Sequence, residues 1–364
     1  MKRRYLIVAA VLLAIGAVAY FVFFAKRPVL TAVTWAGPYG RAQASALFYP
    51  YGQQTRVDLR IAQYDGGLDE LRTRVASKRY GWDVIDMELP DAIAACKAGL
   101  LEHLDTTTLP PGANGEPASA DFVPNALGPC WVGSVVYSQT IAYAPGRFAA
   151  HKPTSFRAFF DLMNYPGFRA LKSTSPKFNL ELALLADGVA PHDVYKVLSS
   201  PDGVTRALAK LSTIRSSIVW TDKSSEAIAM LSDGRAAFAT VLNGDVFEAA
   251  QHHQPLGVIW DRQLYELDVF AIPKGDPKRD MAMDFIRFAT AAPQLARVAE
   301  WVPYGPARRS ALAQVGKNPE LGTLMRPFLP TESANFSTAF AVDDAWWRSH
   351  GDDIAPRWRA WTGR

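Results

Sequence analysis

The sequence predicts an α/β protein built as two lobes, and three observations carry that prediction. Apolar positions with period-two alternation are followed repeatedly by apolar positions at helical spacing, the strand-helix order of parallel-sheet proteins. The chain has 364 residues, longer than the roughly 250 to 300 residues over which a single core keeps growing, so about two cores are implied. Its composition, 49% hydrophobic and 20% charged with 25 Gly and 25 Pro, excludes disordered, collagen-like and disulfide-scaffold classes.

The chain opens with Met1-Lys-Arg-Arg4 and an apolar run over residues 5–25, a basic start and an apolar stretch suited to export into the periplasm. Residues 1–27 read as a signal peptide or an N-terminal membrane anchor. Ala17-Val-Ala19 fits a small-x-small cleavage site, whereas the run of about 20 residues is long enough to span a bilayer. Lys2, Arg3, Arg4, Lys26 and Arg27 lie in this stretch without any acid, so the net charge of +4 becomes −1 beyond it, 34 basic residues against 35 acidic. The exported body carries no basic surplus to attract nucleic acid. Cys96 and Cys130 are the only cysteines, which excludes a lipoprotein. They form no C-x-x-C, so neither a redox motif nor a cysteine-based zinc site is implied. A disulfide, which the periplasm preserves, and two buried free thiols both fit.

Beyond the signal, residues 30–34 form a strand candidate that ends at Trp35 before the turn Ala36-Gly-Pro38. Residues 57–61 alternate as a half-buried strand. After the turn Asp65-Gly-Gly-Leu68, the residues Leu68, Leu71 and Val75 recur at helical spacing, with Asp69 and Glu70 favourably placed in the first turn. Trp82-Asp-Val-Ile-Asp-Met87 is a buried strand leading into a helix over 91–97 that Gly99 stops. This order implies parallel pairing. Residues 110–117 are a surface loop, and 132–143 a long β-branched and aromatic strand. Helices are predicted over 179–186, 202–211, 224–231 and 281–291, strands over 236–242 and 268–272. A Trp-rich tail, 326–364, reads as a helical packing segment.

No G-x-S-x-G elbow, phosphate-binding loop, G-x-G-x-x-G or H-E-x-x-H is present. His252 and His253 are adjacent and point to different faces, so they do not share a metal. The sequence instead offers aromatics and carboxylates at strand and turn ends, where open α/β sheets bind ligands. These are Trp35 at its Gly-Pro turn, Glu88 ending a buried strand, Asp245 after Asn243-Gly244, then Tyr265, Glu266 and Asp268 around the start of a strand, and Tyr304 in Pro303-Tyr-Gly-Pro306. Core packing of Trp35, and helix-terminal charge or capping for Glu88 and Asp245, are the plainer readings of the same residues.

The ordered set Thr34-Trp35, Trp82-Asp-Val-Ile-Asp-Met-Glu-Leu-Pro90, Ala98-Gly-Leu-Leu-Glu-His-Leu-Asp105, Val136-Tyr-Ser-Gln-Thr-Ile-Ala-Tyr143, Leu242-Asn-Gly-Asp245, Leu267-Asp-Val-Phe-Ala-Ile-Pro273 and Tyr304-Gly-Pro306 resembles the periplasmic solute-binding proteins of ABC importers. Within them it is most similar to the spermidine/putrescine-binding branch. The resemblance implies the type 2 periplasmic-binding-protein fold, each lobe a mainly parallel sheet flanked by helices, with the ligand between lobes. Lobe 1 is expected over 28–137 plus about 269–325, and lobe 2 over 138–268. Carried over by position, the family's first-strand aromatic falls on Trp35, its ligand-facing loop on Glu88, its amine-gripping acid on Asp268 and its cleft tyrosine on Tyr304. Leu242 and Glu266 stand where the family has aromatics, and Ser175-Pro-Lys-Phe178 replaces a pair of acids. The implied protein is not an enzyme and holds no cofactor or metal. It is a monomer that captures a small polyamine-like cation by hinge closure and hands it to an inner-membrane permease.

The chemistry of such a ligand agrees with the residues, since a buried ammonium needs carboxylates and its methylenes favour aromatic faces. Two alternatives keep the fold: an anionic or metal-bound solute, with Lys177 or Arg308 as the anion's partner, and a membrane-anchored ligand sensor. An envelope enzyme using two of the carboxylates as acid and base lacks a visible nucleophile or metal set.

Overall fold

The computed structural model describes residues 27–363, so the N-terminal apolar run lies outside the described residues. Among the described residues no helix is long and apolar enough to cross a membrane.

The chain begins with β1 (Val29–Trp35), turns at Gly37 and enters α1 (Pro38–Gln43), which continues through one π-turn into α2 (Tyr49–Thr55). Then come β2 (Asp58–Tyr64), α3 (Asp69–Ser77), β3 (Val84–Glu88) and α4 (Leu89–Lys97), followed by β4 (Val132–Tyr143). The next region contains β5 (Arg169–Lys172), α5 (Asn179–Ala186), α6 (Gly203–Ser212), β6 (Ile218–Thr221), α7 (Ser224–Ser232), β7 (Phe238–Leu242) and α8 (Asn243–Gln251). Last come β8 (Gly257–Ala271), α9 (Arg279–Ala289), α10 (Ala292–Trp301), the short β9 (Gly305–Pro306) and β10 (Phe340–Ala341), and α11 (Asp344–Thr362).

One sheet runs through the whole molecule in the order β2-β1-β3-β8-β4-β7-β5-β6. Its two ends are parallel, β2-β1-β3 and β7-β5-β6, as the strand-helix order predicts. The centre is not, because β4 and β8 run antiparallel to each other and to β7 and β3. These two strands are long enough to belong to both halves, so the sheet is mixed where the sequence suggested mainly parallel lobes. The β4–β8 ladder is interrupted at Gly133/Val135 and at Gln139/Ile141, local irregularities that bend and twist a strand pair.

The apolar core divides along the same line. One cluster gathers residues 30–136 with 265–329, joined by Phe247 from across the cleft. A second gathers residues 141–264 with Phe340, Trp346, Trp347 and Trp358 of the C-terminal segment. The Trp-rich tail thus forms α11, packed on the second lobe. Cys96 and Cys130 are bridged and tie the end of α4 to the segment before β4, entirely within the first lobe.

Candidate functional site

The register between β3 and β8 places Glu88 directly opposite Asp268, and the register between β4 and β8 places Tyr137 opposite Glu266. Side chains alternate along strands, so Asp86, Glu88, Glu266, Asp268 and Tyr137 rise from one face of the sheet. Cross-strand neighbours are roughly 4.5–5.5 Å apart at Cβ, and like charges so placed repel. A cavity of about 530 Å³ opens over this face. Glu88 and Asp268 form part of its floor, with Trp35, Tyr39, Tyr137, Trp301 and Tyr304 as aromatic wall. Leu242, Asp245, Phe247 and Glu248, from the end of β7 and the first turns of α8, close it from the second lobe.

The walls are held by specific contacts. Tyr304 meets Tyr39 edge-on at 5.4 Å between ring centroids and lies 6.3 Å from Tyr137. A Cβ on Gly244 would stand 3.2 Å from the Tyr304 ring, so glycine permits this approach. Asn243 donates from Nδ2 to the Pro303 carbonyl at 2.6 Å and accepts from the Ser138 amide at 3.0 Å. It thereby joins α8 both to the Tyr304 loop and to β4. Trp35 stacks at a tilt on Tyr64, 5.2 Å away.

The electrostatics are one-sided. Asp268 is 5% exposed, and its Oδ1 is buried without a hydrogen-bond partner. Burial, reinforced by the charges of Asp86, Glu88 and Glu266, holds its carboxyl well above the ordinary value. Burial also raises Glu88, opposed by the Lys177 charge. Asp86, which accepts from the Tyr39 hydroxyl at 3.3 Å, is pushed by burial up to about 8, against the pull of the donors around it. Asp245 is raised by burial, and Tyr304 is pushed by burial up to about 12. Among the described residues no lysine or arginine lines the cavity. Two carboxylates side by side have the chemistry to hold a cation, and aromatic faces suit a carbon chain attached to it.

Of the seven residues singled out in the sequence, Trp35, Glu88, Asp245, Asp268 and Tyr304 line the cavity. Tyr265 does not: it faces the other side of β8 and packs in the first lobe's core against Phe336, 4.9 Å away. Glu266 lies on the cavity's side of the sheet but is itself ion-paired with Lys177, and it is not part of the lining. Arg308 is fully buried in the first lobe, paired with Asp121 at 3.1 Å, and is not among the cavity's lining, so it is not available to an anion in the cleft. Sequence reasoning passed over Tyr39, Tyr137, Trp301, Phe247 and Glu248. Tyr137 had a usable signal, since a strand read over 132–143 presents alternate residues to one face. Asn243-Gly244, read as a turn, instead starts α8.

A family model described as bacterial extracellular solute-binding protein matches residues 46–323. A gamma-aminobutyric acid-binding protein of Pseudomonas aeruginosa is 33% identical over 341 residues, 93% of this chain and 92% of that protein. The crystal structure of an ABC transporter substrate-binding protein from Bradyrhizobium japonicum superposes with a TM-score of 0.76 at 28% identity, covering 92% of this chain and 99% of that one. The Atu4243-GABA receptor superposes with a TM-score of 0.72 at 28% identity, covering 91% and 97%. Two of these three names print gamma-aminobutyric acid as the ligand, and the third prints none.

Proposed function

We propose, from the premise that the chain belongs to the bacterial extracellular solute-binding protein family, that its interlobe cavity captures a small solute carrying a primary ammonium on a short methylene chain. As a member of that family it is the substrate-binding component of an ABC importer and not an enzyme. The observation that carries the ligand reading is the cross-strand pair of half-buried Glu88 and buried Asp268 on a cavity floor without a basic side chain in the lining. A ligand ammonium supplies the missing charge and the missing donor, while Trp35, Tyr137 and Tyr304 receive the methylenes. Gamma-aminobutyric acid and the simple diamines share this end. The names of the relatives favour the amino acid, whereas Asp245 and Glu248 on the opposite wall favour a second amine. Lobe closure over the ligand in the periplasm, by a monomer, would present the permease with a surface that exists only in the loaded state.

Calorimetric titration with gamma-aminobutyric acid, putrescine, spermidine and butyrate tests the reading. At least one amine should bind and raise the melting temperature, because a native-state ligand stabilises in proportion to RT ln(1 + [L]/Kd), while butyrate should do neither. Binding of butyrate with no response to any amine would overturn it.

A further inference from the structure

Behind the Glu88–Asp268 pair the acids continue. Glu266, two residues before Asp268 on the same face of β8, and Asp344, the first residue of α11, both meet the ammonium of Lys177. Lys177 Nζ donates to the Glu266 carboxylate and to Asp344 Oδ1, the latter at 2.7 Å. The other Asp344 oxygen, Oδ2, is buried and accepts no hydrogen bond.

The local backbone is built to hold that lysine in place. It sits between β5 and α5, where Asn179 Nδ2 donates to the carbonyls of Lys172 and Ser175 at 3.1 and 2.9 Å, and the Lys177 amide donates to Ser175 Oγ at 3.2 Å. The next residue, Phe178, has φ 70°, a left-handed conformation that costs a non-glycine residue energy and that persists where the surroundings demand it. The Lys177 side chain remains 21% exposed while Glu266 and Asp344 are 6% and 2% exposed. Burial alone would lower its pKa, but the two carboxylates outweigh it and hold the ammonium above its ordinary value. Its charge opposes the effect of burial on both Glu88 and Glu266.

We propose that Lys177 determines the charge class of the solute: its tethered ammonium occupies, on Glu266 and Asp344, the place that a second ligand cation would otherwise take. On this side of the cleft the floor then offers one free ammonium place, at Glu88 and Asp268, which shifts the preference from a diamine toward an amino acid of equal length even with Asp245 and Glu248 on the opposite wall. This inference rests on the amine reading of the same cavity.

The test compares Kd for gamma-aminobutyric acid and putrescine, and for 5-aminovalerate and cadaverine, in wild type and two variants. Lys177→Met keeps the aliphatic stem and exposes two carboxylates. The ratio of affinities should move toward the diamine by about tenfold or more, the size of one added charge pair at short range in a partly buried site. Glu266→Gln keeps the lysine and removes an acid, so the ratio should move the other way, by about threefold or more. This second variant retains the Lys177–Asp344 pair and keeps the test valid if Lys177→Met does not fold. Ratios within about twofold of wild type in either folded variant would overturn the inference and leave Lys177 a structural pin. If wild type binds none of the four amines, the cavity reading fails and this inference with it. If wild type binds them and the ratios stand still, only this inference fails.

Discussion

Two buried ionic clusters, one in the first lobe and one at the cleft, contrast a charge set completed within the protein with one left open beside a cavity. Arg308 is fully buried yet complete: it donates to Asp121 at 3.1 Å, to the Thr290 carbonyl at 2.6 Å and to the Pro110 carbonyl at 2.8 Å. Asp121 also accepts from the amide and the hydroxyl of Ser310, both at 2.8 Å. The cleft cluster has the reverse character. Its carboxylates outnumber their cation, Asp268 has an oxygen with no donor, and burial together with the neighbouring acids pushes its pKa up. Buried charges require pairing and hydrogen bonds, and the cluster that lacks them is the one that faces a cavity.

The sharpest way to break this contrast is to remove the cation of the complete cluster. Arg308→Met leaves Asp121 buried and unpaired and should cost about 3–5 kcal/mol of stability, read from urea denaturation. A cost below about 1 kcal/mol would show that the completeness of this cluster has no energetic content. In the cleft the signs should divide. Asp268→Asn removes a repelled carboxylate and should raise the melting temperature of the unliganded protein, while weakening amine binding by about 2–4 kcal/mol in a calorimetric titration. Loss of stability together with unchanged binding would reverse the assignment.

Titration sharpens the comparison further. The folded-state pKa of Asp86 is raised, so its contribution to stability is fully present below the ordinary value of 3.8 and is lost as pH rises toward about 8. A bound ammonium favours the ionised carboxylates, so amine affinity should rise between pH 5 and 8, by at most about tenfold per unit for each proton released. Titrations in buffers of different ionisation heat count those protons, and an affinity flat across this window would contradict the reading. The smallest effect is expected at the wall, where Trp35→Ala should weaken amine binding by about 0.5–2 kcal/mol, the range of a cation–π contact, without a matching loss for the Arg308 cluster's stability role.

Much of this was legible in the chain. The 132–143 strand was readable at full length because β-branched and aromatic residues fill it without a turn signal, and the helix over 179–186 is bounded as its apolar run indicates. Five of the seven residues singled out in the sequence line the cavity, because strand and turn ends meet there. Tyr265 could have been set apart by alternation, since it is odd where Glu266 and Asp268 are even on the same strand. Glu266 could not: what removes it from the lining is Lys177, 89 residues earlier in sequence. The facing of Glu88 by Asp268 depends on an antiparallel register between strands some 180 positions apart, and no local pattern encodes that. The helix at Asn243 was hidden because Asn-Gly normally makes a turn, and here the glycine serves the Tyr304 ring instead.

The interrupted β4–β8 ladder has a mechanical side. Because both strands belong to the two lobes at once, any rotation of one lobe against the other would be torsion of a hydrogen-bonded ribbon, and the two breaks at Gly133/Val135 and Gln139/Ile141 are where its ladder is already irregular. If the lobes close over a ligand, the joint would act as a spring with two soft coils whose restoring force opposes that closure.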